Sequence, residues 1–100
     1  MIELKNIDLE NVTLKEQYKK AFEEQHELEI ELMKLEEKIH LQSLTSLVID
    51  DLIERQKVID EFWDLVQAWL GVLAKDGITA DEVMKGYSKH LEKIKNRPRD

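Results

Sequence analysis

Residues 62–74 read FWDLVQAWLGVLA, and this stretch decides the fold of the chain. Its apolar side chains fall on every side of a 3.6-residue wheel, and Asp64 and Gln67 are its only polar side chains. A helix that is apolar all round is typically buried among other helices. The stretch therefore predicts a central helix in an all-α domain.

The rest of the chain has the composition of helices. Of its 100 residues only three are Gly and one is Pro, whereas Glu, Leu and Lys are abundant. The segments 13–16 (TLKE) and 79–82 (TADE) have the spacing of a capping box, which predicts that a helix starts at each of them. Gly77, which follows Asp76, predicts that the preceding helix ends there.

The helix boundaries follow from these signals. The first helix should run from Thr13 to a point between Gln42 and Ser46, where hydroxyl residues cluster. The apolar pattern from Leu47 to Ala74 is long for one helix, so we expect a break near Arg55 to Lys57 as an alternative to a continuous helix. The last helix should end before Pro98.

These elements predict one domain. The apolar spacing in residues 1–12 fits neither a clean strand nor a clean helix, so we treat this segment as an N-terminal arm. Residues 13–100 then form a single all-α domain, a bundle of about four helices. So short a chain buries limited apolar surface by itself and would gain stability from assembly.

Charge and composition exclude several classes of protein. The chain has 15 Lys and Arg against 22 Asp and Glu, a net charge of −7, which disfavours nucleic acid as a partner. It contains no Cys, so it has neither a disulfide framework nor a thiolate metal site. No apolar run reaches the roughly 20 residues that span a bilayer, and the N-terminal start does not resemble a secretory signal. These features predict a cytoplasmic protein with no membrane partner.

Two carboxylate pairs lie where a helical protein has its core. On the first helix, Glu24 and Glu31 fall inside the apolar stripe and Glu27 lies at its margin. Glu61 and Asp64 form a second pair, three residues apart, and Asp64 interrupts the most apolar segment. On facing helices these pairs would place four hard oxygen ligands around one space, which suits Mg²⁺ or Mn²⁺. The alternative is a solvated acidic surface that holds no ion.

Small residues follow Asp64 on the same side of its helix. Ala68 and Gly71 either leave room beside the acid for a ligand or allow another helix to pack closely, and the sequence leaves both interpretations open. The chain has no Cys, no Gly-flanked Ser and no glycine-rich phosphate loop. Catalysis by this chain would therefore depend on a metal ion and water.

The sequence resembles a known family at these acids. Residues 23–28 (EEQHEL) and 60–65 (DEFWDL) resemble the ExxE and ExxD motifs of the all-α nucleoside triphosphate pyrophosphohydrolases, the MazG-like proteins. The similarity continues through residues 66–73 (VQAWLGVL) to Arg97 and covers about three quarters of the chain. It implies that the protein hydrolyses a nucleoside triphosphate at the α-phosphorus to a monophosphate and pyrophosphate.

The resemblance also implies roles for individual residues. Mg²⁺, or Mn²⁺ in its place, would be held by Glu24, Glu27, Glu61 and Asp64. Glu27 and Glu61 would be the catalytic acids, with Glu27 the candidate to take the proton of the attacking water. If the first motif is shifted, Glu31 or the pair of Asp51 and Glu54 would supply ligands instead.

Three further residues are candidates for contact with the substrate. Lys93 and Arg97, one turn apart on the last helix, would bind the triphosphate tail, unless they are simply a solvated cationic helix end. Trp63 is a candidate to stack on the base, as is Trp69, although buried aromatic side chains usually belong to the core. Members of the family form dimers or tetramers, which implies a homodimer or homotetramer. The alternative function is a non-catalytic helical interaction or regulatory module.

Overall fold

The computed structural model describes residues 4–5, 9–45 and 51–96. Three helices occur in these ranges: α1 (Leu14–Thr45), α2 (Leu52–Lys75) and α3 (Ala80–Lys95). The same ranges contain no strand, which confirms the all-α fold class. None of the helices in the described part of the chain is long and apolar enough to cross a membrane.

The predicted helix starts and the predicted stop are confirmed. Thr13 Oγ1 accepts a hydrogen bond from the Glu16 backbone N–H at 3.1 Å. Thr79 Oγ1 accepts one from the Glu82 N–H at 3.2 Å, and the Glu82 carboxylate accepts in turn from the Thr79 N–H at 3.3 Å. Gly77 has a φ of +84°, a left-handed conformation that glycine adopts without steric cost, and it ends α2.

The break expected near Arg55 to Lys57 is wrong, because α2 is continuous there. Two side-chain pairs four residues apart lie along this turn of the helix. Arg55 Nε is 3.0 Å from Asp51 Oδ1, and Gln56 Nε2 donates to Asp60 Oδ1 at 2.8 Å. Side-chain pairs at this spacing stabilise a helix. The segment contains no proline, so every residue in it has a backbone N–H for the helix.

Helices α1 and α2 pack side by side as an antiparallel hairpin. Gln17 Nε2, near the start of α1, donates to the carbonyl oxygen of Ala68, near the end of α2, at 2.9 Å. At the other end of the hairpin, Lys38 Nζ lies 3.9 Å from Glu54 Oε1. These contacts show that the two helices run in opposite directions, because residues later in α1 contact residues earlier in α2.

The core of the hairpin consists of small and medium side chains. Trp69 packs against this core. The rings of Tyr18 and Phe22 contact the Trp69 ring edge-on, at centroid distances of 6.2 and 5.6 Å. Small side chains let the two backbones approach closely, and the aromatic rings close one side of the contact. The buried core residues are Ala21, Ala68 and Val72.

The prediction that the whole of residues 62–74 is buried is correct only for its second half. Ala68 and residues 70–72 are buried, but Phe62 and Trp63 remain 48% and 40% exposed. The reason is that α1 alone packs along α2, while α3 makes few contacts with the hairpin. One side of α2 therefore stays uncovered within the described residues of a single chain.

The described part of the N-terminal arm lies over α2. Gln67 Nε2 donates to the carbonyl oxygen of Lys5 at 3.0 Å, and Lys75 Nζ donates to the carbonyl oxygen of Leu9. The backbone N–H of Leu4 contacts Met84 Sδ on α3 at 3.1 Å. The described residues of the arm thus contact both α2 and α3.

Candidate metal centre

Three of the four predicted ligands converge between α1 and α2. Glu24 comes from α1, and Glu61 and Asp64 come from one face of α2. One carboxylate oxygen from each lies within 4.8 Å of the others. Among the residues that the structure describes, no other three acidic or histidine side chains bring ligand atoms so close together. We call Glu24, Glu61 and Asp64 the acidic cluster.

Two oxygen atoms of the acidic cluster lack donors in the described structure. The Glu24 side chain is only 7% exposed. Within the described ranges, Oε2 of Glu24 and Oε2 of Glu61 are buried and accept no hydrogen bond. The second pair of acids on the hairpin has the same feature, at Oε2 of Glu31 and Oε2 of Glu54. A buried carboxylate oxygen without a donor is costly, and either a cation or a proton would relieve that cost. Ligand oxygens around Mg²⁺ lie up to roughly 4.2 Å apart, twice the metal–oxygen distance, so small side-chain rotations would fit these acids to the ion.

Burial and charge act together on Glu61. Burial raises the pKa of the Glu61 carboxyl group, and the negative charges of Glu27, Asp64 and Glu24 raise it further. The carboxyl group therefore holds a proton more readily than a solvated glutamate does. A divalent cation at the same place would replace that proton, because it removes the repulsion among the acids.

Glu27 lies beside the acidic cluster but is not part of it. Its side chain is exposed, whereas Glu24, one turn earlier on α1, is buried. A hydrogen bond to the Glu27 carboxyl group contributes to the raised pKa of Glu61, which places Glu27 next to that acid. The acidic cluster therefore runs from buried Glu24 through half-buried Glu61 to exposed Asp64, and exposed Glu27 lies beside Glu61.

A lysine that the sequence analysis did not single out contacts the acidic cluster. Lys20 Nζ is 2.6 Å from Glu24 Oε1, and its side chain is 57% exposed. The hydrogen bond to Glu24 and the charge of that carboxylate raise the pKa of Lys20. Lys20 lies one turn before Glu24, so the helical spacing alone could have predicted that the two side chains share a face of α1.

A cavity of about 500 Å³ opens next to the acidic cluster, between the hairpin and the arm. Its wall combines carboxylates, an ammonium group, two amides and apolar surface. Gln67, the second polar residue of the stretch 62–74, therefore lines the candidate site. The contribution of the N-terminal arm could not be predicted, because the apolar residues of the arm show no clear periodicity. The lining residues are Leu9, Gln17, Lys20, Glu24, Asp64, Gln67 and Ala68.

The predicted substrate-binding residues Lys93 and Trp63 do not line this cavity, and the prediction that they contact the substrate stays untested. Lys93 lies exposed on α3 and is not among the residues that line the cavity. Arg97 lies outside the described residues. Trp63 is half-exposed, meets Phe62 edge-on at 5.7 Å and does not line the cavity either. Trp69 belongs to the core, as the alternative interpretation of that residue expected.

A second pair of acids lies farther along the hairpin. Glu54 on α2 is 95% buried by side-chain area, and Lys38 lies 3.9 Å from it, while Lys34 lies 3.2 Å from Glu31 on α1. A hydrogen bond between the two carboxyl groups, together with burial, raises the pKa of Glu54, and the same bond together with Lys34 lowers that of Glu31. Of the two carboxyl groups, Glu54 therefore takes up a shared proton more readily as the pH falls. The alternative ligands Glu31, Asp51 and Glu54 do not join the acidic cluster.

This pair predicts a pH dependence of stability. Because the folded protein raises the pKa of Glu54 above 4.5, the stability that its proton contributes is fully present below pH 4.5. That stability is lost as the pH rises through the raised value. We expect Glu54→Gln to raise the melting temperature by a few degrees at pH 7.5, because the amide keeps the bond to Glu31 at every pH. Thermal unfolding followed by circular dichroism from pH 4.5 to 8 measures this gain.

The matched control is Glu29→Gln, an exposed position on α1. It removes the same charge and should leave the shape of the stability profile unchanged. The gain from Glu54→Gln should also shrink as the pH falls, because the wild-type pair regains its proton. Equal destabilisation by Glu54→Gln at both ends of the pH range would contradict the shared proton.

Comparisons of the chain with protein-family models, with curated proteins and with solved structures found no match.

Proposed function

We propose that this protein is a Mg²⁺-dependent nucleotide pyrophosphohydrolase of the MazG-like type, which converts a nucleoside triphosphate to a monophosphate and pyrophosphate. The observation that carries the proposal is the acidic cluster beside the cavity, with two buried carboxylate oxygens that lack donors in the described structure. The resemblance of residues 23–28 and 60–65 to the family motifs supports the same activity.

The residues at the site suit this chemistry. An oxygen-only ligand set selects hard cations such as Mg²⁺ and Mn²⁺. Glu24, Glu61 and Asp64 would hold the ion, whose charge would neutralise phosphate oxygens and lower the pKa of a bound water. Glu27 borders the cluster and is exposed, so it can accept the proton of the attacking water and pass it to solvent.

The cavity provides a place for the substrate. Its volume of about 500 Å³ is within the range of small-molecule sites, roughly 300–1,000 Å³. Leu9 and Ala68 supply apolar surface, and Gln17 and Gln67 supply amides. Gln17 donates to Ala68 and Gln67 donates to Lys5, and these hydrogen bonds fix the two amides in the wall of the cavity.

We also propose that the chain acts as a homodimer or homotetramer, in which paired hairpins complete a bundle of about four helices. The accessible surface is 8241 Å², whereas a compact monomer of 11.8 kDa exposes about 5,900 Å². A single chain thus exposes more surface than a compact protein of its mass. The large apolar side chains that stand exposed on the hairpin include Phe22, Met33, Ile53, Ile59 and Phe62.

Light scattering on the purified protein tests the assembly. We expect a mass of at least twice 11.8 kDa at micromolar concentration. A second expected result is that Met33→Glu, which places a charge on a side chain that is 68% exposed in one chain, shifts the assembly toward monomer. A wild-type protein of monomeric mass would contradict the proposed assembly.

The experiment that tests the proposed reaction is release of pyrophosphate from a panel of ribo- and deoxynucleoside triphosphates. Reactions contain Mg²⁺, Mn²⁺ or EDTA. We expect pyrophosphate with either metal and none with EDTA. Silence across the panel would contradict the proposal and would favour a non-catalytic helical interaction module.

A further inference from the structure

Lys20 occupies a particular place in the candidate site. It is the one cation among the described residues that line the cavity, and its ammonium group lies 2.6 Å from Glu24 Oε1. The other oxygen of that carboxylate, Oε2, is the buried atom without a donor. Glu24 therefore offers its two oxygens to two different cations, the lysine on one side and a metal on the other.

The charges in the cavity show why the lysine would move. The three acids of the acidic cluster carry up to three negative charges, and Glu27 beside them adds a fourth. A single divalent ion and Lys20 together offset only part of this negative charge. A triphosphate that enters the cavity adds several more negative charges, so a mobile cation in the wall is drawn toward it.

The side chain of Lys20 can make that movement. It is 57% exposed and has a flexible four-carbon stem, whereas Glu24 lies in the helix interface with 7% of its side chain exposed. A metal on Glu24 also weakens the attraction that holds the lysine there, because both cations compete for the charge of one carboxylate.

We propose that Lys20 binds the phosphate chain of the substrate and that it leaves Glu24 to do so once a divalent ion is bound. This inference rests on the proposed function and names the residue that would recognise the triphosphate. Lys20 couples the two binding events: without a triphosphate it competes with the metal, and with a triphosphate it adds a contact. The residue that recognises the phosphate chain then lies on α1, in the wall of the cavity.

Binding measurements on the full chain test this inference without relying on turnover. The first probe is Mn²⁺ alone, titrated by electron paramagnetic resonance. The second is the preformed complex of Mn²⁺ with inorganic triphosphate, titrated by calorimetry. We expect Lys20→Met to bind Mn²⁺ alone several-fold more tightly than wild type does and to bind the Mn²⁺–triphosphate complex at least about tenfold more weakly.

Two further variants make the result specific. Lys19→Met removes a neighbouring lysine that does not line the cavity, and it should leave both affinities unchanged. Lys20→Arg keeps the charge and should recover most of the triphosphate affinity. Circular dichroism checks that all variants keep the helical content of the wild type.

The outcomes separate this inference from the proposed function. Equal triphosphate affinity in wild type and Lys20→Met would overturn the role of Lys20 and leave the reaction itself intact. Weaker binding of Mn²⁺ alone by Lys20→Met would overturn the competition. A wild-type protein that binds neither probe would overturn the proposed function, and the inference about Lys20 with it.

Discussion

Glu61→Gln should lower kcat for pyrophosphate release at least about a thousandfold while the protein stays folded. Burial raises the pKa of the Glu61 carboxyl group, and the charges of Glu27, Asp64 and Glu24 raise it further. The amide keeps the size of the side chain and removes a charged oxygen ligand. Loss of the ion would remove both its neutralising charge and its activated water.

The same substitution should stabilise the protein when no metal is present. Because the pKa of Glu61 is raised in the folded state, the folded protein favours an uncharged side chain there, and glutamine supplies one at neutral pH. Wild type should gain several degrees of melting temperature in millimolar Mn²⁺, and Glu61→Gln should lose most of that gain. Higher stability without metal, together with lost activity, would distinguish a ligand from a structural residue.

The control for Glu61→Gln is Asp60→Asn at the adjacent position. Asp60 is exposed and accepts a hydrogen bond from Gln56 at 2.8 Å, and asparagine can still accept it. Activity and the response to Mn²⁺ should be close to those of wild type. Normal turnover by Glu61→Gln would show that the acidic cluster is not the catalytic site.

Gly71→Ala should destabilise the folded protein by about 1–3 kcal/mol. A Cβ atom at this position would lie 2.5 Å from Gln17 Nε2 and 2.9 Å from Leu9 Cδ1. Gln17 cannot simply swing away, because its side chain is buried and its amide is bonded to the carbonyl oxygen of Ala68. The substitution either breaks that bond or pushes the arm off α2, and urea unfolding measures the loss.

Gly86→Ala is the matched control, and it should have the opposite sign. Gly86 lies inside α3, and nothing lies within 4 Å of the Cβ that alanine would add. Alanine should therefore stabilise the helix by about 0.5–1 kcal/mol, since it restricts the unfolded chain and costs no packing. If Gly71→Ala proves as stabilising as Gly86→Ala, the close contact between Gln17 and α2 is wrong.

Much of the fold was predictable because local signals are strong in this chain. The Thr13 cap, the capping box at Thr79 and Gly77 act within one turn of backbone, so their effect does not depend on distant residues. The break near Arg55 to Lys57 was a wrong prediction because length alone suggested it, while the ion pair of Arg55 with Asp51 supports a continuous helix.

The candidate site was predictable only in part. The wheel placed Glu24 inside the apolar stripe, and the structure buries it there beside Glu61 and Asp64. Periodicity states which side of a helix a residue occupies, but it does not state which residue of another helix lies opposite. The sequence offered Glu31 as a ligand if the first motif is shifted, whereas the structure pairs Glu31 with Glu54.

The sequence by itself determined the all-α class, the ends of the helices that carry capping signals, and the types of side chain available for a metal. These properties depend on composition and on contacts within a turn or two of one helix. Only the tertiary structure decided which acids share a space, that Lys20 faces the same cavity, and that Gly71 makes room for Gln17. Those facts depend on the alignment of α1 against α2, which is set by packing between residues about 50 positions apart, such as Gln17 and Ala68.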